Sequence, residues 1–218
     1  ALEELAPLVR SILIRRGSLT PKFHIITGQS ESEMLLADAI FRNVWEYVDF
    51  MVLGRESIAK QVTEMGFTTT HDCNMSCIAK SFLEPLWPRI DRCILMDTDT
   101  LLVAPLEDLN AVFTNFSKRQ VMAATWRPGR EFGDRINTGV VFYDFDHMRR
   151  NGWAEAIART PPMLRERCDV TADGKILLHF PDQAIIHAAL MAYGNMTDPQ
   201  VIPSDGLVKL GTMWNNEM

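Results

Sequence analysis

The sequence predicts an α/β domain, a largely parallel sheet sandwiched between helices. Short β-branched apolar runs such as "KFHIIT" and "RCILM" read as buried strands. Stretches with apolar residues at helical spacing separate them. No repeat, low-complexity tract or linker interrupts the alternation, so residues 1–218 read as a single domain. At that length about 70% of the unfolded chain's surface is expected to be buried.

"LAPLVRSILIRRG" carries Leu5, Leu8, Val9, Ile12 and Leu13 on one helical face, with a basic end before Gly17. "KFHIIT" is the first strand, bounded by Pro21 and Gly28. Ser30 or Ser32 can cap a long amphipathic helix, "ESEMLLADAIFRNVWEYV". "DFMVL" follows as a strand and "ESIAKQVTEM" as a helix. After a polar stretch, "CIAKSFLEPLW" is helical and closed by Pro88. "RCILM" is a strand, "LEDLNAVFTNF" a helix, "QVMAAT" a strand and "WRPGREFGDR" a charged Gly/Pro loop. "INTGVVFYDF" is a strand, and "HMRRNGWAEAIA" a helix with Asp146 as its cap. "PDQAIIHAALMAY" is the last helix and "QVIP" a short strand.

The chain is 47% hydrophobic and 23% charged, as ordinary globular domains are. A net charge of −6 argues against a nucleic-acid partner. No apolar stretch reaches membrane-spanning length, and none resembles a cleavable signal. The chain starts at Ala1 and stops just after "TMWNN", so it reads as a piece of a longer polypeptide. Any membrane attachment is expected through a segment outside it. Cys73, Cys77, Cys93 and Cys168 lack zinc-site spacing and leave free thiols or a disulfide open. Asn74-Met75-Ser76, Asn115-Phe116-Ser117 and Asn195-Met196-Thr197 are glycosylation triplets where chance supplies about one. They lean toward a secretory compartment, with the cytoplasm as the alternative.

"RCILMDTDTLLVAP" sets Asp97 and Asp99 one residue apart on what reads as one strand. Residues i and i+2 of a strand share a face, with Cα atoms about 6.5 Å apart, so Thr98 would face the other way. Two adjoining carboxylates repel unless a cation or water offsets the repulsion. Hard oxygen donors beyond a strand's carboxyl end suit Mg²⁺ or Mn²⁺, which share their shell with substrate phosphates. A solvated strand end is the competing reading. Asp144 and Asp146 repeat the pattern, where helix capping accounts for it.

"RCILMDTDTLLVAPLEDLNAVF" resembles the Asp-x-Asp region of GT-A nucleotide-sugar glycosyltransferases of family 8, the glycogenin and lipopolysaccharide galactosyltransferase group. It looks most like the glucoside xylosyltransferases and the xylosyltransferase domain of LARGE. "INTGVVFYDFDHMRR", "PDQAIIHAAL" and "VIPSDGLVKLGTMWNN" resemble three further blocks of the family, in its order. The resemblance implies a GT-A (Rossmann-like) fold with a mixed, mostly parallel sheet. It implies a retaining transferase moving a sugar, xylose favoured, from a UDP-sugar to a glycan or glycoprotein acceptor, one candidate being Notch-type O-glucose glycans. Asp97 and Asp99 would hold Mn²⁺ or Mg²⁺, and Lys80 would face the donor phosphates. Thr98, Asn137, Thr138 and Gly139 would lie against substrate, Gly139 by allowing close backbone approach. Asp182 would order the sugar, and Gln183 would lie opposite the leaving group as nucleophile or electrostatic support. Each has a plainer reading: a solvated lysine, a turn where the strand begins, and a favourable helix start after Pro181. His187 replaces an Asn common in the family and, like His71, His147 and His179, reads as structural.

Two departures stand out. The strand that cradles uracil in the family would precede this chain, and the His completing its metal ligands would follow Met218. The isolated chain is therefore expected to be inactive or nearly so and poorly stable, while its full-length parent is expected to be a type II membrane protein of the Golgi or ER lumen. A degenerate fold serving as a glycan-binding scaffold is one competitor. A haloacid-dehalogenase phosphohydrolase is another, disfavoured because Thr100-Leu101 follows the acids and no later Asp-Asp pair occurs.

Overall fold

A computed structural model of the chain describes residues 2–27, 48–52, 60, 62–70, 74–127 and 132–211. The helices are α1 (Leu2–Ile14), α2 (Asn74–Ala79), α3 (Leu83–Leu86), α4 (Leu106–Ala111), α5 (Phe145–Arg150), α6 (Trp153–Ala158), α7 (Thr160–Arg165) and α8 (Pro181–Tyr193). The strands are β1 (Phe23–Thr27), β2 (Val48–Val52), β3 (Phe67–Thr68), β4 (Arg92–Met96), β5 (Met122–Trp126), β6 (Ile136–Asp144), β7 (Asp169–Val170), β8 (Ile176–Leu177) and β9 (Leu207–Leu210). Two compact units divide the chain: Ala1–Ser57 with Met96–Val112, and Ile58–Leu95 with Phe113–Met218.

In the first unit α1 buries Leu5, Leu8, Val9 and Ile12, the stripe its spacing predicts. Strands β1 and β2 pair in parallel, from Phe23 opposite Val48 to Thr27 opposite Val52. The returning segment is tied to α1. Leu102 N donates to Ser11 Oγ at 2.9 Å and Leu106 N to Arg15 O at 2.8 Å. Ser18 N donates to Glu107 Oε1 at 2.9 Å, on the first turn of α4.

In the second unit one sheet has the order β4-β6-β5-β9, and a smaller one the order β3-β8-β7. Strand β5 runs antiparallel to β6 and parallel to β9. Strand β8 is parallel to β3 and antiparallel to β7. Strands β5 and β6 are buried throughout except at Gly139, as strands covered on both faces are. Helix α8 is buried along its length except at Gln183, and it packs on α2, α6, α7 and β6. Apolar residues all round mark a helix inside a core, and each fully buried Ile or Leu contributes about 2 kcal/mol.

Several expectations need correction. Strand β4 stops at Met96, and Asp97–Thr100 is a turn in which Thr100 N bonds Asp97 O at 3.0 Å. Same-face strand geometry therefore does not apply to Asp97 and Asp99. The expected helix after β6 is two helices, because Gly152 at φ +80° breaks it in a conformation side chains rarely adopt. Asp144, not Asp146, caps α5: its Oδ1 accepts from His147 N at 2.9 Å. The segment "QVIP" is not a strand; Leu207 N bonds Pro203 O in a turn, and β9 begins there. Helix α7 and the β7–β8 hairpin have no counterpart in the sequence reading.

Cys77 is disulfide-bonded, whereas Cys93 and Cys168 are free thiols. Burial pushes the Cys93 thiol up to about 12. The expected helix from Glu31 onward as far as Tyr47, half of "ESIAKQVTEM", His71, Cys73 and the terminal Trp-Asn block lie outside the described residues, and Val48, its expected last residue, begins β2 instead. No helix among the described residues is long and apolar enough to cross a membrane.

Candidate active site

Strand β6 positions the second unit's polar cluster through an irregularity. Ala124 of β5 pairs with Val141, but the next residue, Thr125, pairs with Asn137. Residues Thr138, Gly139 and Val140 thus bulge from the ladder without partners on β5. Asn137 holds the bulge, its Oδ1 accepting from Gly139 N at 2.8 Å. Apolar burial on both sides then fixes the direction of each side chain.

The bulge brings Thr138 to the start of α8, where its hydroxyl donates to Asp182 Oδ2 at 2.6 Å. Lys80 reaches the same oxygen, with its Nζ at 3.4 Å. The Lys80 and Asp182 side chains retain only 15% and 7% of their exposure. Two donors on one oxygen of a nearly dry carboxylate make a stiff, charge-balanced group. Asp182 also lies in the first turn of α8, after Pro181, where the helix dipole favours an acid. Lys80 begins a 3₁₀ turn, Lys80–Phe82, between α2 and α3. Its carbonyl accepts from Tyr143 Oη at 3.2 Å, so β6 holds the backbone of Lys80 while Asp182 of α8 holds its ammonium.

Gln183 is the half-buried residue of α8. With its amide nitrogen turned toward the two carbonyls, it donates to Ile136 O at 2.8 Å and Gly133 O at 3.2 Å. Both N–H bonds are thereby used, and Oε1 remains as the amide's acceptor. Gly133, at φ +96°, permits this approach, since a Cβ there would sit 2.9 Å from Ala184 Cα. The Gly/Pro loop had signalled a turn, but nothing in the sequence tied its glycine to α8.

One turn along α8, His187 is fully buried. Its ring stacks on Phe132 at 4.5 Å and meets Trp126 edge-on at 5.2 Å. Among the described residues neither ring nitrogen makes a hydrogen bond of good geometry, though a backbone contact at Pro199 partly opposes the fall in its pKa. Burial, then the positive charge of Arg135, push its pKa down to about 4. His187 is thus a neutral packing group, as the sequence reading held. His147 likewise bonds Gln120 O through Nδ1 at 2.8 Å, and His179 pairs with Asp169 at 3.2 Å.

Asp97, Thr98 and Asp99 belong to the first unit. Asp97 O accepts from both Thr100 N and Thr100 Oγ1, the latter at 2.6 Å, which pins the turn. Thr98 Oγ1 donates to Glu4 Oε2 at 3.2 Å, an acid of α1 that the sequence reading did not single out. Asp99 is exposed. Two hard carboxylates on a turn fit part of a Mg²⁺ or Mn²⁺ shell, leaving other positions to water or phosphate oxygens. Among the described residues no three His, Cys, Asp or Glu side chains are grouped to hold a metal alone.

No family model matches the chain. Over 170 residues, 71% of this chain, it is 25% identical to xylosyl- and glucuronyltransferase LARGE2s of Gallus gallus. It spans about a fifth of that relative's length, 22%. Among solved structures, mouse xyloside xylosyltransferase 1 in its apo form superposes with a TM-score of 0.70 and 13% identity. The match covers 98% of this chain and 81% of that one. Galactosyltransferase LgtC in complex with donor and acceptor sugar analogs gives 0.61 and 16%, covering 86% of this chain and 66% of that one. These neighbours are GT-A glycosyltransferases, and the chain has the GT-A fold, a mixed α/β arrangement. The resemblance read from the motif blocks is borne out.

Proposed function

We propose that this chain carries the donor-binding core of a retaining, metal-dependent glycosyltransferase. Its donor is a UDP-sugar, with xylose favoured, and its acceptor a glycan or glycoprotein. The observation that carries the reading is the convergence of Lys80 and Thr138 on one Asp182 oxygen. Residues far apart in sequence, each singled out by the resemblance, form one buried polar group.

In this reading Lys80 offers positive charge to the donor diphosphate, and Asp182 restrains its swing. Asp182 accepts from sugar hydroxyls, and Thr138 sets the carboxylate's orientation. Asn137 and Gly139 shape the bulge on which the sugar lies. Gln183, its N–H bonds committed, presents Oε1 to the anomeric centre, as nucleophile or as electrostatic support. Asp97 and Asp99 would hold Mn²⁺ or Mg²⁺, which when bound neutralises charge growing on departing UDP. Thr98 has its hydroxyl on Glu4, which leaves its backbone to face substrate. The names of the relatives favour xylose. A Golgi or ER lumenal setting agrees with the disulfide at Cys77 and with the glycosylation triplets.

Calorimetric titration of the full-length protein with UDP tests this reading. Binding is expected to require Mn²⁺ and to weaken about tenfold or more in Lys80→Met, as loss of a charge-assisted contact does. UDP binding indifferent to metal, or none at all, would count against it.

A further inference from the structure

The glycosylation triplets lie outside the polar cluster and differ in their surroundings. Asn115 ends a 3₁₀ turn, Val112–Asn115, in which Phe116 N bonds Phe113 O at 3.3 Å. The turn sorts its side chains by polarity. The Phe113 ring is buried against Phe116 at 5.4 Å and edge-on to Phe142 at 5.6 Å. Asn115 and Ser117 are both exposed. Ser117 N is fixed by Gln120 Oε1 at 2.8 Å, and Gln120 is itself tied to Ser204 O. The triplet's apolar member thus anchors it while its two reacting members face water.

Asn195 is exposed as well, but the fold already uses it. Its backbone is left-handed at φ +51°, and its Oδ1 accepts from Arg159 Nη1 at 3.2 Å. A bulky group on its amide would have to share space with that guanidinium. The Asn74 side chain lies outside the described residues. A disulfide at Cys77 independently points to an oxidising compartment, where oligosaccharide transfer also takes place.

We propose that Asn115 is an N-glycosylation site of this protein. Its Nδ2 bonds to the anomeric carbon of an oligosaccharide carried on a polyprenol diphosphate. The sugar–oxygen bond breaks, the polyprenol diphosphate leaves with the electron pair, and one amide proton passes to base. Phe116 is not proline, so the triplet can form the turn that transfer requires. The glycan stands in solvent, and because neither Asn115 nor Ser117 side chain is packed in the core, no packing is lost. This needs a lumenal chain but not a working transferase, so its failure leaves the preceding section's reading standing.

The complete natural protein, produced in animal cells, is treated with an amide-cleaving N-glycosidase in heavy-oxygen water and mapped by peptide mass spectrometry. Position 115 is expected to read as heavy-oxygen aspartate, with Asn110 on the same segment unlabelled as an internal control. Asn115→Gln is expected to lose one glycan's worth of electrophoretic mobility shift. Unlabelled asparagine at 115, or identical migration of wild type and variant, would overturn the proposal.

Discussion

Lys80 and Asp182 form a nearly dry ion pair, which makes each hard to replace alone. Asp182→Ala is expected to lower stability by about 3 kcal/mol, since it removes the buried carboxylate that Lys80 and Thr138 both contact. Lys80→Met with Asp182→Leu should recover much of that loss, while abolishing any donor binding. Urea unfolding of the single and double variants checks this; equal loss in both would show that the pair carries no coupling. His187 gives a second residue-level expectation. Its pKa falls from 6.5 unfolded to about 4 folded, so the folded chain refuses a proton that the unfolded chain accepts. Its contribution is therefore complete above pH 6.5 and is lost as pH falls toward 4, by about 3 kcal/mol. His187→Leu should flatten that slope of urea midpoint against pH. The residue types at 138 and 182 were legible because motif blocks carried them, Lys80 because its helix resembles the family's, and His187 because a lone histidine on an apolar helix is usually packing. Convergence on a single oxygen was not legible, because it depends on which way a bulge turns a side chain.

At the scale of elements, caps and bulges separate what a sequence shows from what a fold decides. Asp144 and Asp146 are equally good caps by type. Phe145 settles the choice: it is fully buried and packs near Trp87 and Tyr143, so the helix starts there and Asp144 falls at the cap. Asp144 also receives Arg92 Nε at 2.9 Å, whereas Asp146 pairs with Arg150 one turn on. Asp144→Ala is expected to cost about 2 kcal/mol and Asp146→Ala under about 0.5. Thermal unfolding of the two variants distinguishes them, and equal losses would contradict the capping assignment. Asn137→Ala should cost about 1 kcal/mol by freeing Gly139 N, and should loosen Thr138 from Asp182. Long elements were readable, α1 because apolar residues recur on one face and α8 because it is apolar all round over 13 residues. Helix α7 was hidden by Pro161-Pro162, which reads as a break although Pro is favoured in a first helical turn. The β7–β8 hairpin was too short to show a period.

For the molecule as a whole, the alternation of strands and helices made the α/β class readable, and the ordered motif blocks made the GT-A fold readable. The resemblance implied a mixed sheet, and the sheet is mixed, but which strands run opposite could not be read, since nothing in β6 or β9 marks that they flank β5 in opposite senses. Nor could the division into two units, because the change falls at Leu95–Met96, the last step of β4, and only packing marks it. In the proposed reading Asp97 and Asp99 serve a divalent ion while the Lys80–Asp182 group serves the donor. Release of sugar from a panel of UDP-sugars by the full-length protein with Mn²⁺, repeated for Asp99→Asn, tests it most directly. Turnover is expected, greatest with UDP-xylose, and is expected to fall about a hundredfold or more in the variant. Wild-type turnover in Asp99→Asn, or no release from any UDP-sugar, would contradict it.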